Sequence, residues 1–170
     1  VLSGDAHFTG PHTLKIEPGD IAIKAKNIII STGGSPKTIP PLPIDGEMVV
    51  TYMQAIIQRE VPKAVVIVGG GAIGVEFASI YRAYGSDVTL VEMLPRILPN
   101  EDDEISKHLE RGLRKRGIKI LTNSRVLGLA KLEGYAKIQV EKEAGVIELD
   151  CDRVLVAIGI QGNVDGIGLE

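Results

Sequence analysis

Residues 64–74 read Ala-Val-Val-Ile-Val-Gly-Gly-Gly-Ala-Ile-Gly: an apolar run broken by three consecutive glycines, with Gly74 three positions further on. Few features restrict a fold more. Ala64–Val68 is short, continuous and β-branched, the pattern of a parallel strand buried on both faces. From Ala72 the residues Ile73, Phe77, Ile80, Tyr81 and Tyr84 recur at helical spacing, and Gly85 is a natural stop. Val88-Thr89-Leu90-Val91-Glu92 then reads as a second strand ending in a carboxylate. Strand, turn, helix and strand make a βαβ unit, so the chain is predicted to be α/β, with a parallel sheet of the Rossmann type.

The turn fits G-x-G-x-x-G at Gly69, Gly71 and Gly74, and Glu92 follows about 20 positions on, the combination expected of a dinucleotide site. Gly69 permits the tight turn out of the strand. Gly71 lets backbone approach a pyrophosphate, and Gly74 lets the helix pack on the sheet. The helix start presents free N–H groups and a positive dipole end to phosphates. Glu92 can accept hydrogen bonds from ribose hydroxyls and would repel a 2′-phosphate, so NAD is expected over NADP. Arg96 is the nearby cation that would argue otherwise, and it lies beyond the strand end. A structural glycine turn with an exposed glutamate is the plainer alternative; strand, helix and spacing together weigh against it.

Composition excludes several other classes. At 170 residues, this is one medium domain or one domain with a piece of another. A net charge of −3 gives no reason to expect nucleic acid or an anionic membrane surface as a partner. No apolar stretch reaches membrane-spanning length. No signal peptide is visible, and the first residue is Val1. The single cysteine, Cys151, lies between Asp150 and Asp152, which should raise its thiol pKa; it reads as structural. His7, His12 and His108 have no metal-ligand spacing, and no nucleophile–base pair is legible.

Around the βαβ unit the chain reads as follows. Residues 6–8, 13–17 and 21–24 are short strands with turns at Gly10-Pro11 and Pro18-Gly19-Asp20. Residues 27–32 (Asn-Ile-Ile-Ile-Ser-Thr) look like a buried strand running into Gly33-Gly34. Residues 36–46 carry four prolines and read as an extended linker. Asn100 is a candidate cap for a second helix, with Glu101 to Glu104 at its start, Arg114 to Arg116 at its end, and Gly117 as the stop. Its expected buried stripe is Ile105, Leu109 and Leu113, and its charges suit a solvated face. Residues 118–121 form a third strand, 125–149 an antiparallel meander, and 152–159 a last buried strand. Thr32, Glu92 and Gly159 fall at strand ends, where parallel sheets present ligands.

These residues resemble the flavoprotein disulfide reductases, and among them the dihydrolipoamide dehydrogenase subfamily. The resemblance covers essentially the whole chain. It rests on residues 69–76 (GGGAIGVE), 91–99 (VEMLPRILP), 31–36 (STGGSP), 4–8 (GDAHF) and 154–159, with Asn163 and Leu169-Glu170 beyond. It implies a three-layer FAD/NAD(P)-binding fold. The partition would be 1–45 as part of an FAD domain, 46–159 as an NAD domain, and 160–170 as the return into the FAD domain. The segment Gly69, Gly70, Gly71, Ala72, Ile73, Gly74 and Val75 would cradle the NAD pyrophosphate. Glu76, placed on the first helical turn, would face the nicotinamide carboxamide. Glu92 would hold the ribose, Val126 would line the adenine pocket, and Gly159 would lie near the nicotinamide. Ala6, Thr32, Gly33 and Gly34 would contact FAD.

The family usually has Arg and Pro where this chain has Ile160 and Gly162. The FAD-binding N-terminal βαβ, the redox-active cysteine pair, and the dimer-forming C-terminal domain with its catalytic His are not in this sequence. The resemblance therefore implies a central piece of a longer oxidoreductase, inactive alone, whose parent passes electrons from dihydrolipoyl groups through a disulfide and FAD to NAD⁺. It implies a lipoyl-bearing partner, a homodimeric parent, and a cytoplasmic setting (mitochondrial matrix in a eukaryote). Two alternatives stay open: a related flavoprotein such as an NADH oxidase or another disulfide reductase, and a standalone NAD-binding module.

Overall fold

Alternation along Val65-Val66-Ile67-Val68 divides the core. Val65 and Ile67 face one hydrophobic cluster, and Val66 and Val68 face the other, so this strand is covered on both sides. The computed structural model describes residues 1–169. In chain order the elements are β1 (Asp5–Gly10), β2 (Thr13–Glu17), β3 (Ile21–Lys24), β4 (Gly34–Pro36), β5 (Val49–Val50), α1 (Tyr52–Ala55), β6 (Ala64–Val68), α2 (Ala72–Ala83), β7 (Asp87–Val91), α3 (Asp103–Lys115), β8 (Lys119–Leu121), β9 (Arg125–Leu132), β10 (Tyr135–Lys142), β11 (Gly145–Cys151), β12 (Arg153–Val156) and β13 (Ile160–Gly162). The chain divides into two compact units, Val1–Ser35 with Gln161–Glu170, and Pro36–Ile160. Residues 36–45 thus belong to the larger unit.

The larger unit has three layers. Its middle is a parallel sheet ordered β5-β12-β6-β7-β8. On one face α2 and α3 pack through Val75, Ala78, Tyr81 and Leu113 against Val65, Ile67, Leu90, Ile120 and Leu155. On the other lies the meander β9-β10-β11, whose Val126, Ala136, Ile138 and Val140 meet Val66, Val68, Val91, Val154 and Val156. Each fully buried aliphatic side chain contributes about 1.5–3 kcal/mol. Both the parallel sheet with its βαβ unit and the antiparallel meander are as expected from the sequence. The order of strands reverses between β6 and β12, which opens a crevice at their carboxyl ends.

The buried face of α2 differs from the expected stripe. Gly74, Val75, Ala78 and Tyr81 are buried, while Ile80 is 45% exposed and Tyr84 69%. Small residues at 74 and 78 let the helix axis approach the sheet, and that choice of arc outweighs the larger side chains on the neighbouring one. In α3 the cap is Asp102, whose carboxylate accepts the Glu104 N–H at 2.8 Å; Asn100 does not cap it. Ile105 is 57% exposed, and Ser106 is buried in its place, with its hydroxyl donating to the Leu98 carbonyl at 3.0 Å.

Residues 36–48 are more than a linker. Leu42 is fully buried in the meander-side cluster. Asp45 Oδ1 accepts the N–H groups of Glu47, Met48 and Val49 at 2.8–2.9 Å, and its carboxylate pairs with Lys131 Nζ at 2.5 Å. Burial pushes this carboxyl up, but Lys131 and the N–H donors outweigh it and bring it down to about 2. A folded-state pKa below the unfolded one stabilises above the unfolded value, near pH 4, and the stabilisation is lost as pH falls toward 2. Asp45→Asn keeps an oxygen for the N–H groups but loses the charge. It should lower stability by about 1–2 kcal/mol at pH 7. Denaturant melts across pH should show that gap closing between about pH 4 and 2; a constant gap would refute the role of the charge.

The smaller unit holds the antiparallel meander β1-β2-β3 with Ile16 buried beneath it. Its second segment is tied in by the Phe8 N–H to the Ile167 carbonyl at 2.6 Å and the Asn163 N–H to the Gly33 carbonyl at 3.0 Å. The strand expected over 27–32 is not formed: these residues are irregular, and Ile29 is 91% exposed. An extended segment becomes a strand only beside another that takes up its N–H and C=O groups. Glu170, part of the resemblance above, lies outside the described residues. Among the described residues, no helix is long and apolar enough to cross a membrane, and no group of His, Cys, Asp and Glu is placed to hold a metal.

Candidate functional site

A cleft of about 800 Å³ opens within the larger unit, at the carboxyl ends of β12, β6 and β7. Its floor is the glycine turn. Gly69 takes φ +110°, and its N–H donates to the Val91 carbonyl at 2.8 Å. A Cβ there would strike the Ala157 carbonyl, and a Cβ on Gly74 would strike the Gly69 carbonyl. Both glycines are therefore required by the fold itself. Gly71 is different. Its backbone is ordinary (φ −74°), a Cβ would meet nothing within 4 Å, and it lines the cleft. The protein leaves this space open where a ligand can reach the backbone.

Gly71 is also the N-cap of α2, and no side chain caps this helix. No acidic residue lies in its first turn, whereas α3 has a cap and two acidic residues there. The first N–H groups of a helix have no intrahelical acceptor. At α2 they stand uncapped at the cleft wall formed by Gly71, Ala72 and Ile73, which suits an anion.

Glu92 follows β7 and is 8% exposed. Its Oε2 accepts the Gly70 N–H at 2.5 Å, and its Oε1 accepts the Leu94 N–H at 2.8 Å. The Gly70 carbonyl in turn accepts the Leu98 N–H at 2.8 Å. The carboxylate thus ties the glycine turn to the loop after β7, while each oxygen retains a lone pair for a further donor. Arg96 is committed elsewhere: it donates to Asp103 at 3.0 Å and to the Pro99 and Glu101 carbonyls at 2.9 and 3.2 Å. It is not among the residues lining the cleft.

Seven of the sequence-predicted residues line this cleft: Gly69, Gly71, Ala72, Ile73, Glu92, Val126 and Gly159. Gly70, Gly74 and Val75 are buried behind it. Glu76 is exposed on α2 and is the fifth helical residue, so it lies beyond the first turn on which it was expected. Ala6, Thr32, Gly33 and Gly34 belong to the smaller unit, where all four are exposed. The Thr32 carbonyl there accepts from the Asn163 amide at 3.3 Å.

Sequence reasoning missed three stretches of the wall: Ile39-Pro40-Pro41, the 93–100 loop through Met93, Leu94, Pro99 and Asn100, and Ser124-Arg125. Two hints were available: residues 93–99 follow Glu92 within a segment that carries the resemblance, and Ser124-Arg125 directly precede Val126. Cys151 is buried, lies outside the cleft, and burial, with a smaller push from Asp152, raises its thiol to about 11. It is unreactive at neutral pH, as expected, although burial outweighs the acidic neighbours as the cause.

A cleft at the reversal point of a parallel sheet, a glycine turn, an uncapped helix start and a strand-end glutamate together suit a dinucleotide. Dihydrolipoyl dehydrogenase of Mycobacterium leprae is 41% identical over 175 residues, covering 99% of this chain and 37% of that protein. That of Bacillus subtilis is 38% identical over 183 residues, covering 100% and 39%. LpdA from Mycobacterium tuberculosis superposes with a TM-score of 0.83 at 26% identity, over 99% of this chain and 38% of that one. The Cu(II) complex of the HOCl-induced flavoprotein disulfide reductase RclA from Escherichia coli superposes at 0.76 with 31% identity, over 97% and 37%. The chain thus spans under two-fifths of the length of these relatives. All of residues 1–170 match the pyridine nucleotide-disulphide oxidoreductase family, and the chain belongs to it.

Proposed function

We propose that the cleft binds NAD and that the chain is the nucleotide-docking part of a dihydrolipoyl dehydrogenase. The carrying observation is the open space at Gly71 before an uncapped helix, with Glu92 in the same cleft. The pyrophosphate would sit on the α2 N-terminus, held by N–H groups of Gly71, Ala72 and Ile73. Glu92 would accept from the adenosine ribose. Its negative charge would oppose a 2′-phosphate, and Arg96, the cation nearest to it in sequence, is occupied by Asp103. Val126 would line the adenine end and Gly159 the nicotinamide end; Glu76 remains a proposed carboxamide contact. When bound, NAD and FAD supply the hydride chemistry, and this chain binds and orients them.

Ala6, Thr32, Gly33 and Gly34 are proposed to meet FAD; for Thr32, Gly33 and Gly34 this rests on the match of residues 31–36 to the family's strand-end segment, and for Ala6 on the match of residues 4–8. The parent activity (dihydrolipoyl oxidation), its lipoyl-bearing partner, its homodimeric state and a cytoplasmic location are proposed on similarity to the dihydrolipoyl dehydrogenases. The likeness to RclA favours one other reading, a flavoprotein disulfide reductase with a different substrate. NADH and NADPH titrations followed by nicotinamide fluorescence test the core of the proposal. NADH should bind at least tenfold more tightly, a difference of about 1.4 kcal/mol. Absent or equal binding would overturn it.

A further inference from the structure

Arg125 is the first residue of β9, at the rim of the cleft. It is exposed and makes no side-chain hydrogen bond or ion pair among the described residues. Glu141 is its register partner on β10, yet the two side chains form no salt bridge. Ser124, just before it, is buried, and its N–H donates to the Glu92 carbonyl at 3.0 Å. That bond holds Arg125 at the Glu92 end of the cleft, away from Gly159 and Ile160 beyond β12. Glu92 and Arg125 are the two charged residues lining the cleft. Glu92 accepts two backbone N–H groups and forms no ion pair with Arg125, which is the cation among the described residues lining the cleft. Around it the wall is apolar, built from Met93, Leu94 and Val126.

A planar, weakly hydrated guanidinium beside an apolar wall suits the face of an aromatic ring. If Glu92 holds the adenosine ribose, the base attached to that ribose reaches this same end. We propose that Arg125 stacks on the adenine ring of the dinucleotide and is a positioning residue for its adenosine half. This rests on the NAD reading above. Charge alone would be supplied equally by lysine, whereas stacking requires the flat guanidinium.

The test titrates NADH, NADPH, ADP-ribose and reduced nicotinamide mononucleotide into the wild type, Arg125→Ala and Arg125→Lys. Arg125→Ala should bind NADH, NADPH and ADP-ribose about five- to tenfold more weakly, the size of a cation–π contact. The mononucleotide, which lacks adenosine, should be unaffected. Arg125→Lys should recover little of the loss. Full recovery by lysine, or a loss confined to NADPH, would overturn stacking in favour of a phosphate contact. Equal NADH affinity in wild type and Arg125→Ala would overturn this inference and leave the NAD reading standing. A wild type that binds neither NADH nor ADP-ribose would overturn both. Because Arg125 is exposed, the thermal midpoint of Arg125→Ala should match that of the wild type, which separates a binding effect from misfolding.

Discussion

Gly71→Ala and Gly74→Ala, three positions apart in one motif, should fail in opposite ways. At Gly71 an added methyl meets no protein atom within 4 Å, and the backbone is one that alanine adopts freely. Stability should change by less than about 1 kcal/mol, the scale of an N-cap substitution. NADH affinity should fall at least tenfold, because the methyl fills the space the pyrophosphate would occupy. At Gly74 the methyl overlaps the Gly69 carbonyl oxygen, which is backbone and cannot swing aside. Relief requires lifting α2 off β6, so the cost should be about 3 kcal/mol or more. Denaturant unfolding and NADH titration on both variants decide the matter. A Gly71→Ala protein that binds like the wild type would remove the ligand from this turn. A Gly74→Ala protein of unchanged stability would contradict the packing described.

Glu92→Ala should lose stability as well as selectivity. The sequence suggests a residue that only reads the ribose; the structure gives its carboxylate two backbone N–H groups to satisfy, from Gly70 and Leu94. Removing a buried charged acceptor leaves both donors unpaired, at about 2–3 kcal/mol in total. For a chain of this length that is about 5–10 °C in thermal midpoint. NADH affinity should fall more than tenfold, and the preference over NADPH should shrink. Glu92→Gln separates the two roles, because it retains one acceptor oxygen without the charge. It should unfold at a temperature between those of wild type and Glu92→Ala, while losing most of the discrimination against NADPH. If Glu92→Ala melts with the wild type, the carboxylate does not staple the turn. If the NADH to NADPH ratio is unchanged, it does not read the ribose.

The parts legible in the sequence are those set by neighbouring residues. Residues 64–92 form strand, turn, helix and strand as the periodicity indicates, and the meander turns fall at Glu133-Gly134 and Glu143-Ala144. Local pattern fails where a partner elsewhere decides. Helical periodicity shows that α2 is amphipathic, yet two apolar arcs were available, and close approach at Gly74 and Ala78 selected the one that leaves Tyr84 exposed. Residues 27–32 have the composition of a buried strand but are irregular, because strand formation depends on a neighbour that composition cannot report. Asn100 and Asp102 are both good caps, and the geometry of the loop after β7 assigned the helix start to Asp102.

The candidate site divides in the same way. Gly69, Gly71 and Gly74 at this spacing, with a carboxylate at the end of the next strand, are enough in the sequence to place a nucleotide cradle. Which charged residue joins Glu92 in lining the cleft is not written there. Arg96 is only four residues from Glu92, yet it turns to Asp103 and the Pro99 and Glu101 carbonyls. Arg125 is 33 positions away and lines the cleft, because β9 starts where Ser124 donates to the Glu92 carbonyl. The proline segment closes another wall because Leu42 is buried under the meander. By itself the sequence determined the cradle, since the glycine spacing between a strand and a helix is the signal even where, as at Gly69, the backbone that a Cβ would strike is the distant Ala157 carbonyl. The tertiary structure alone decided which charges surround it, since a charge acts through space on whatever the fold brings near.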